Sequence, residues 1–212
     1  MINPVIIFGA KGLAKAALEC FKSNGVEVYA FLDNDEQLHG EMYGDVSVLG
    51  ATDDDGFLKL IGKKCDAFVA IEDQSYRTDV IEMLLERRKV MPANAIHRDT
   101  SLPTNLHMGH GNFINAGVTI GADAKIGNHC IINSGCTIDY SVEIGDDVQI
   151  GAGSTIGAGV EIGSNAIIGT GSIIMPRVKI GNNAKVGPGS VVIGAVKANQ
   201  VVFGNPAKAV ER

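Results

Sequence analysis

From residue 96 onward, bulky apolar side chains recur every six residues without a slip. Ile96, Leu102, Met108, Ile114, Ile120, Ile126, Ile132, Ile138, Ile144, Ile150, Ile156, Ile162, Ile168, Ile174, Ile180, Val186 and Val192 share one register. An α-helix or a coiled coil needs a period near 3.6 or 3.5, which a strict six does not sustain. Small side chains stand two residues ahead of the apolar positions, among them Ala124, Cys130, Cys136, Val142, Val148 and Ser154, and glycine often follows them. This is the hexapeptide pattern of a parallel β-helix, a β-solenoid. The aliphatic side chain points into a triangular prism and the small one fills the remaining interior. Glycine, Asn or Asp then takes the awkward backbone angles at each corner. With three hexads to a coil, residues about 18 apart stack.

Residues 1–93 follow another rhythm. "PVIIF", "VEVYAFLD" and "CDAFVAI" read as buried strands, and "LAKAALECFKSNG", "DGFLKLIGKK" and "SYRTDVIEMLLERRK" as helices. Such β-α-β alternation predicts a small α/β domain with a parallel sheet. The expected organisation is a Rossmann-like domain over 1–93 and a β-helix over 94–195. The tail "VKANQVVFGNPAKAVER" leaves the register, so 196–212 is expected to cap one end of the prism, with the N-terminal domain at the other.

A net charge of −6 and a pI near 5.3 argue against nucleic acid or an anionic membrane as partner. No apolar run approaches the ~18 residues of a spanning helix. The start, "MINPVIIFGAKG", has neither a basic region nor a small-residue cleavage site, so a cytoplasmic protein is expected. Cys20, Cys65, Cys130 and Cys136 form no CxxC pair and read as small core residues. No metal site is expected.

Two stretches carry candidate chemistry. A strand running into "GAKG" and then a helix places backbone N–H groups at a helix N-terminus, a natural phosphate site, and the acidic "DND" could meet a ribose or base. The spacing is Gly9-x-x-Gly12, not G-x-G-x-x-G, so a nicotinamide cofactor is poorly supported, and a tight turn alone explains the glycines as well. The second stretch is "NSGCTIDYSVEIG", where Asn133 and Asp139 replace glycine in successive hexads. Departures from a repeat gather where function overrides local preference.

The strand, "GAKGLAK", "FLDND", "VSVLG" and a hexapeptide prism ending in "VVFGNPAK" together resemble a family along nearly the whole chain. That family is the acetyl-CoA-dependent sugar acetyltransferases, which include nucleotide-aminosugar N-acetyltransferases and sialic acid O-acetyltransferases. The resemblance implies a Rossmann-like domain followed by a left-handed β-helix, assembled as a homotrimer. It implies a nucleotide sugar, uridine favoured, held by Lys11, Gly12, Leu13, Asp33, Asn34 and Gly50, although the family usually has histidine where Leu13 stands. It also implies acetyl-CoA lying along the prism against Gln149, Thr170, Gly187, Gly189, Gly204 and Asn205, with Lys208 near a coenzyme phosphate.

The catalytic positions implied are Asn133, Asp139 and Tyr140. The family's histidine base is here Tyr140, and a second frequent histidine is Gln149. An unperturbed phenol titrates near ~10, so little phenolate exists at neutral pH. An amine acceptor, partly neutral at that pH, tolerates the loss better than a hydroxyl, which makes N-acetylation the favoured activity. O-acetylation of the sialic acid type and a trimeric binding protein that has lost catalysis stay open. A β-helix zinc hydratase would need three convergent histidines, and His107, His110 and His129 do not obviously provide them.

Overall fold

The computed structural model describes residues 3–210. The chain divides into two compact units, the first ending at Arg98 and the second beginning at Asp99.

The first unit has strands β1 (Val5–Phe8), β2 (Val28–Leu32), β3 (Met42–Tyr43), β4 (Val46–Gly50) and β5 (Asp66–Val69). Its helices are α1 (Gly12–Ser23), α2 (Asp55–Leu58) and α3 (Gln74–Arg88). The sheet order is β3-β4-β2-β1-β5, parallel throughout except for the β3–β4 pair. β1 is buried at every position, which explains its unbroken apolar run. Because β2 lies on one side of β1 and β5 on the other, the order reverses between β1 and β5. In an open parallel sheet the crevice at such a reversal is where ligands bind.

The sequence differs from its structure in two places here. "DGFLKLIGKK" is helical only over Asp55–Leu58; Gly62 at φ 75° turns the chain so that Ile61 enters the core beside Cys65. Periodicity assigns no strand before Asp54 beyond β2, yet β4 extends the sheet through Val46 and Val48, both buried. Five residues with two inward side chains are too few for a periodic signal.

The second unit is the prism. Strand pairs repeat every 18 residues in parallel register, for example Thr119, Thr137, Thr155 and Ile173. Its first face carries Phe113–Ile114, Ile131–Ile132, Gln149–Ile150, Ile167–Ile168 and Lys185–Val186, with Val201–Gly204 continuing it. The second carries Thr119–Ile120 to Val191–Val192, and the third His107–Met108 to Lys179–Ile180. Every register position from Ile114 to Val192 is buried, whereas Leu102 is 40% exposed and Met108 half-buried. An end coil has a neighbour on one side only, so the inward column begins later than the sequence register.

The corner glycines divide into two kinds. Left-handed backbone falls three residues after each aliphatic, at Asp123, His129, Gly135, Ser141 and Asp147 in turn. The glycine that directly follows the aliphatic is needed for close approach instead. A Cβ on Gly151 would sit 2.4 Å from Thr170 N, on the coil above.

All four cysteines are buried and unbridged. Inside the prism, Cys130 and Cys136 direct Sγ at the carbonyls of Gly145 and Gly151, 3.1 and 3.2 Å away. Burial pushes the Cys20 thiol up to about 12, and raises Cys65 and Cys136 as well. Folded Cys20 therefore keeps its proton where the unfolded chain, at its ordinary 9.0, has lost it. Stability should fall as pH rises from about 9 towards about 12, by at most roughly 1.4 kcal/mol per pH unit for this thiol. Denaturant midpoints across that range should show a shallower decline for Cys20→Ala than for the parent chain.

Candidate active site

In the first unit a cleft of about 410 Å³ opens at the β1–β5 reversal. The loop Gly9–Leu13 forms one wall and Ala70–Asp73 the other, with Asp33 and Tyr76 beside them. Gly9 is obligatory: it holds φ 100°, and a Cβ there would meet Ala70 O at 2.7 Å. Both Asp33 carboxylate oxygens accept from backbone, one from Ala10 N and the other from Asp35 N, each at 2.9 Å. Lys11 pairs with Asp35 at 2.9 Å; this exposed contact raises the lysine and lowers the carboxyl from their ordinary values. α1 has no cap from its own N-cap residue, Lys11. The Glu72 carboxylate fills that role, accepting from Leu13 N at 3.1 Å.

In the prism, the three edges differ in what they do with one backbone donor, the N–H two residues after each aliphatic. On the edge between the third and first faces, His110, Asn128 and Asp146 each donate this N–H to the side chain one coil above. That edge is closed at these three coils, while Ser164 N and Asn182 N further along it have no acceptor among the described residues. On the edge between the first and second faces, Ala116 N is capped by Asn115, Gly204 N by Ser190, and Pro188 has no N–H. Between them Ser134, Ala152 and Thr170 have no hydrogen-bond acceptor for this N–H among the described residues. Adjacent coils lie about 4.8 Å apart, so the edge offers a ladder of three donors at that interval. Its carbonyls are not on offer, because Cys136, Ser154 and Ser172 bond those of Gly151, Gly169 and Gly187 from inside.

The edge between the second and third faces carries Asp139 and Tyr140. Asp139 Oδ1 accepts from Tyr140 N at 2.8 Å, and Asn133 donates to Ile150 O at 3.1 Å. Asn and Asp at the glycine position thus tie off local backbone. Tyr140 is 56% exposed, and the N–H groups of Ala122 and Ala158, one coil to either side, have no acceptor among the described residues. Ile173, Met175 and Ile193 are exposed on the second face and this same edge.

Residues 4–84 match the PglD N-terminal domain family, and 105–139, 141–174 and 161–194 match the bacterial transferase hexapeptide (six repeats) family. The fold superposes on PerB from Caulobacter crescentus, in complex with CoA and GDP-perosamine, with a TM-score of 0.88 and 31% identity over 100% of this chain and 99% of that one. The chain belongs to the bacterial hexapeptide-repeat sugar acetyltransferases. WeeI from Acinetobacter baumannii AYE is similar at 25% identity and TM-score 0.83, over 99% and 100% of the two chains. The acetyltransferase domain of PglB from Neisseria gonorrhoeae FA1090, in complex with acetyl coenzyme A, shares the fold (TM-score 0.89, 24% identity, 98% and 99% covered). A search of curated proteins finds no match. The prism is the left-handed β-helix of this family, as the resemblance implies.

Within this acetyltransferase fold the sequence-derived residues fall into three groups. Lys11, Gly12, Leu13 and Asp33 line the N-terminal cleft, though the Leu13 side chain is buried and only its backbone serves there. Asn34 and Gly50 do not line it: Asn34 accepts from Thr52, and Gly50 O accepts from Asp33 N. Thr170, Gly187, Gly189, Gly204 and Asn205 align along the ladder edge with Asn133, and Gln149 stands on the adjoining first face. Gly187 is small because the Phe203 ring lies on it; a Cβ would be about 2 Å from that ring. Tyr140 and Asp139 belong to a different edge. His107 is on the third face and His110 and His129 on the edge between the third and first faces, and among the described residues no cluster could hold a metal ion. Sequence reading omits Glu72, Asp73 and Tyr76, whose signal was their place at the end of the third strand, across the reversal from "GAKG".

Among the described residues no helix is long and apolar enough to cross a membrane.

Proposed function

We propose that the protein transfers the acetyl group of acetyl-CoA to the amine of a nucleotide-linked amino sugar. The observation that carries this is the ladder of open N–H groups at Ser134, Ala152 and Thr170. An extended pantetheine arm presents its amide and thioester carbonyls at about the spacing of stacked coils, and a row of fixed donors suits it. The acyl end then lies at the coil of Asn133 and Tyr140, and the phosphate end near Gly204, Asn205 and Lys208. The sugar's neutral amine attacks the thioester carbon, the C–S bond breaks, coenzyme A leaves as thiolate and takes a proton from water, and the amine gives up one proton. Gln149, on the first face beside the ladder, supplies a donor for the oxygen that gains charge. Tyr140 orients the amine and passes its proton to water.

Asn133 and Tyr140 occupy successive corners of one coil, on either side of Thr137–Ile138. A site that uses both edges is closed by a second copy, and the exposed Ile173, Met175 and Ile193 give that copy an apolar surface to cover. The assembly proposed is therefore a homotrimer in which neighbouring edges meet. The nucleotide sugar is proposed as a class: the resemblance implies uridine, whereas PerB holds GDP-perosamine.

The test is incubation with acetyl-CoA and a panel of nucleotide amino sugars, followed by thiol release and product mass. One added acetyl group on the amine is the expected result. Absence of both transfer and binding across guanosine-, uridine- and thymidine-linked amino sugars would overturn the reading.

A further inference from the structure

We infer that Glu72 selects the nucleotide base, reading the paired N–H donors of guanine; this rests on the nucleotide-sugar reading above. Where the two walls meet, at Gly9 and Ala70 beside Ile71, the lining is small or apolar and largely buried, a floor against which a planar ring can lie. Its charged groups are mostly carboxylates. Asp33 has both oxygens committed to backbone N–H groups, and Asp73 caps α3 by accepting from Tyr76 N at 2.8 Å. Lys11, the cation of the cleft, is held towards Asp35 with its side chain 69% exposed, which places a diphosphate at the mouth and not on the floor.

Asp73 also keeps one oxygen without a donor among the described residues, but Glu72 alone of the two reaches across the cleft to the opposite wall. Oε1 accepts from Leu13 N, so the anion position of α1 is filled by the protein itself and a phosphate there would face like charge. Oε2 meets no donor among the described residues. The backbone beneath is fixed: the buried Arg77 guanidinium donates from Nη1 to Ile71 O at 3.1 Å and to Glu72 O at 3.5 Å. An exposed carboxylate anchored through one oxygen, with acceptor capacity to spare, suits a ligand edge that bears adjacent donors. Guanine has such an edge, N1–H beside the N2 amino group. Uracil offers one N–H flanked by two carbonyls, which the carboxylate repels.

Isothermal titration of the full-length protein with GDP, IDP and UDP, and separately with acetyl-CoA, tests the assignment. GDP should bind at least about tenfold tighter than UDP, and IDP, which lacks the N2 amino group, about tenfold weaker than GDP. Glu72→Gln keeps an oxygen for Leu13 N but loses the charge, and should bring the GDP to UDP ratio within about threefold while acetyl-CoA affinity holds. Equal or tighter UDP binding, an IDP affinity matching GDP, or an unchanged ratio in a cooperatively melting Glu72→Gln would each overturn the base assignment and leave the nucleotide-sugar reading standing. Failure of all three nucleotides to bind, with acetyl-CoA still bound, would overturn both. If the variant does not melt cooperatively, the GDP–IDP comparison on the parent chain decides.

Discussion

Replacing Tyr140 with histidine is expected to raise kcat for an amine acceptor by about 10²- to 10⁴-fold, the usual contribution of a general base. The surroundings already suit an imidazole. The side chain at this corner is 56% exposed, so the smaller ring displaces nothing. The corner is held by its own backbone, since Asp139 caps the N–H of residue 140 and Tyr140 O accepts from Gly159 N at 3.0 Å. Steady-state kinetics should show the gain in kcat with the KM for acetyl-CoA nearly unchanged, because residue 140 stands on a different edge from the donor ladder. Tyr140→Phe is the companion variant. If Tyr140 relays the proton, the phenylalanine chain should keep its affinity for acetyl-CoA and lose most of its turnover. An unchanged rate in both variants would remove residue 140 from the mechanism.

Thr170→Pro should weaken acetyl-CoA binding about tenfold with little loss of stability, the usual consequence of losing one ligand hydrogen bond. Proline deletes the one donor in question and breaks no hydrogen bond of the fold, because Thr170 N has no acceptor among the described residues. The solenoid already tolerates proline at this place in its repeat. Pro188 stands one coil above Thr170 on the same edge, and Pro176 holds the matching corner on the next edge. Ala152→Pro should behave likewise, and the two together should cost more than either alone. Asn182→Pro, at the equivalent position on the edge between the third and first faces, is the control and should leave acetyl-CoA affinity unchanged. Titration calorimetry measures the affinities and thermal melts check the fold. Full affinity in both ladder variants would sink the assignment of that edge.

Much of this was legible in the repeat. A bulky aliphatic every six residues has one compact solution, so the prism and its buried column follow from spacing alone. Aligning the chain in rows of eighteen also places Thr170, Gly187 and Gly189 on one edge before any coordinate is seen, whereas Gly204 joins them only because Val202 pairs with Val186 in a shorter last coil. The reason given for the glycines was incomplete. The left-handed angles belong to residues such as Asp123 and Ser141, while Gly151 is small because the next coil passes within contact distance. Spacing along a chain carries no information about the distance between coils.

The N-terminal cleft was legible only in part. "GAKG" marks the loop, but its partner is Ala70–Asp73, some sixty residues away, and no local pattern says that a glutamate will cap a helix to which it is not joined. Asn34 reads as a ligand from the acidic run it sits in, yet its side-chain oxygen is committed to Thr52.

By itself the sequence determined the period, most of the inward column, the α/β alternation of the first unit, and the tyrosine at position 140, where the resemblance implies a base. Those are properties of one residue type at one spacing, and local geometry converts them directly into structure. Which N–H groups along each edge are capped, which stay open, and which carboxylate occupies the end of α1 were decided by the tertiary structure. They depend on what the neighbouring coil or loop brings within hydrogen-bond reach, and a donor is open or closed only once that neighbour is in place.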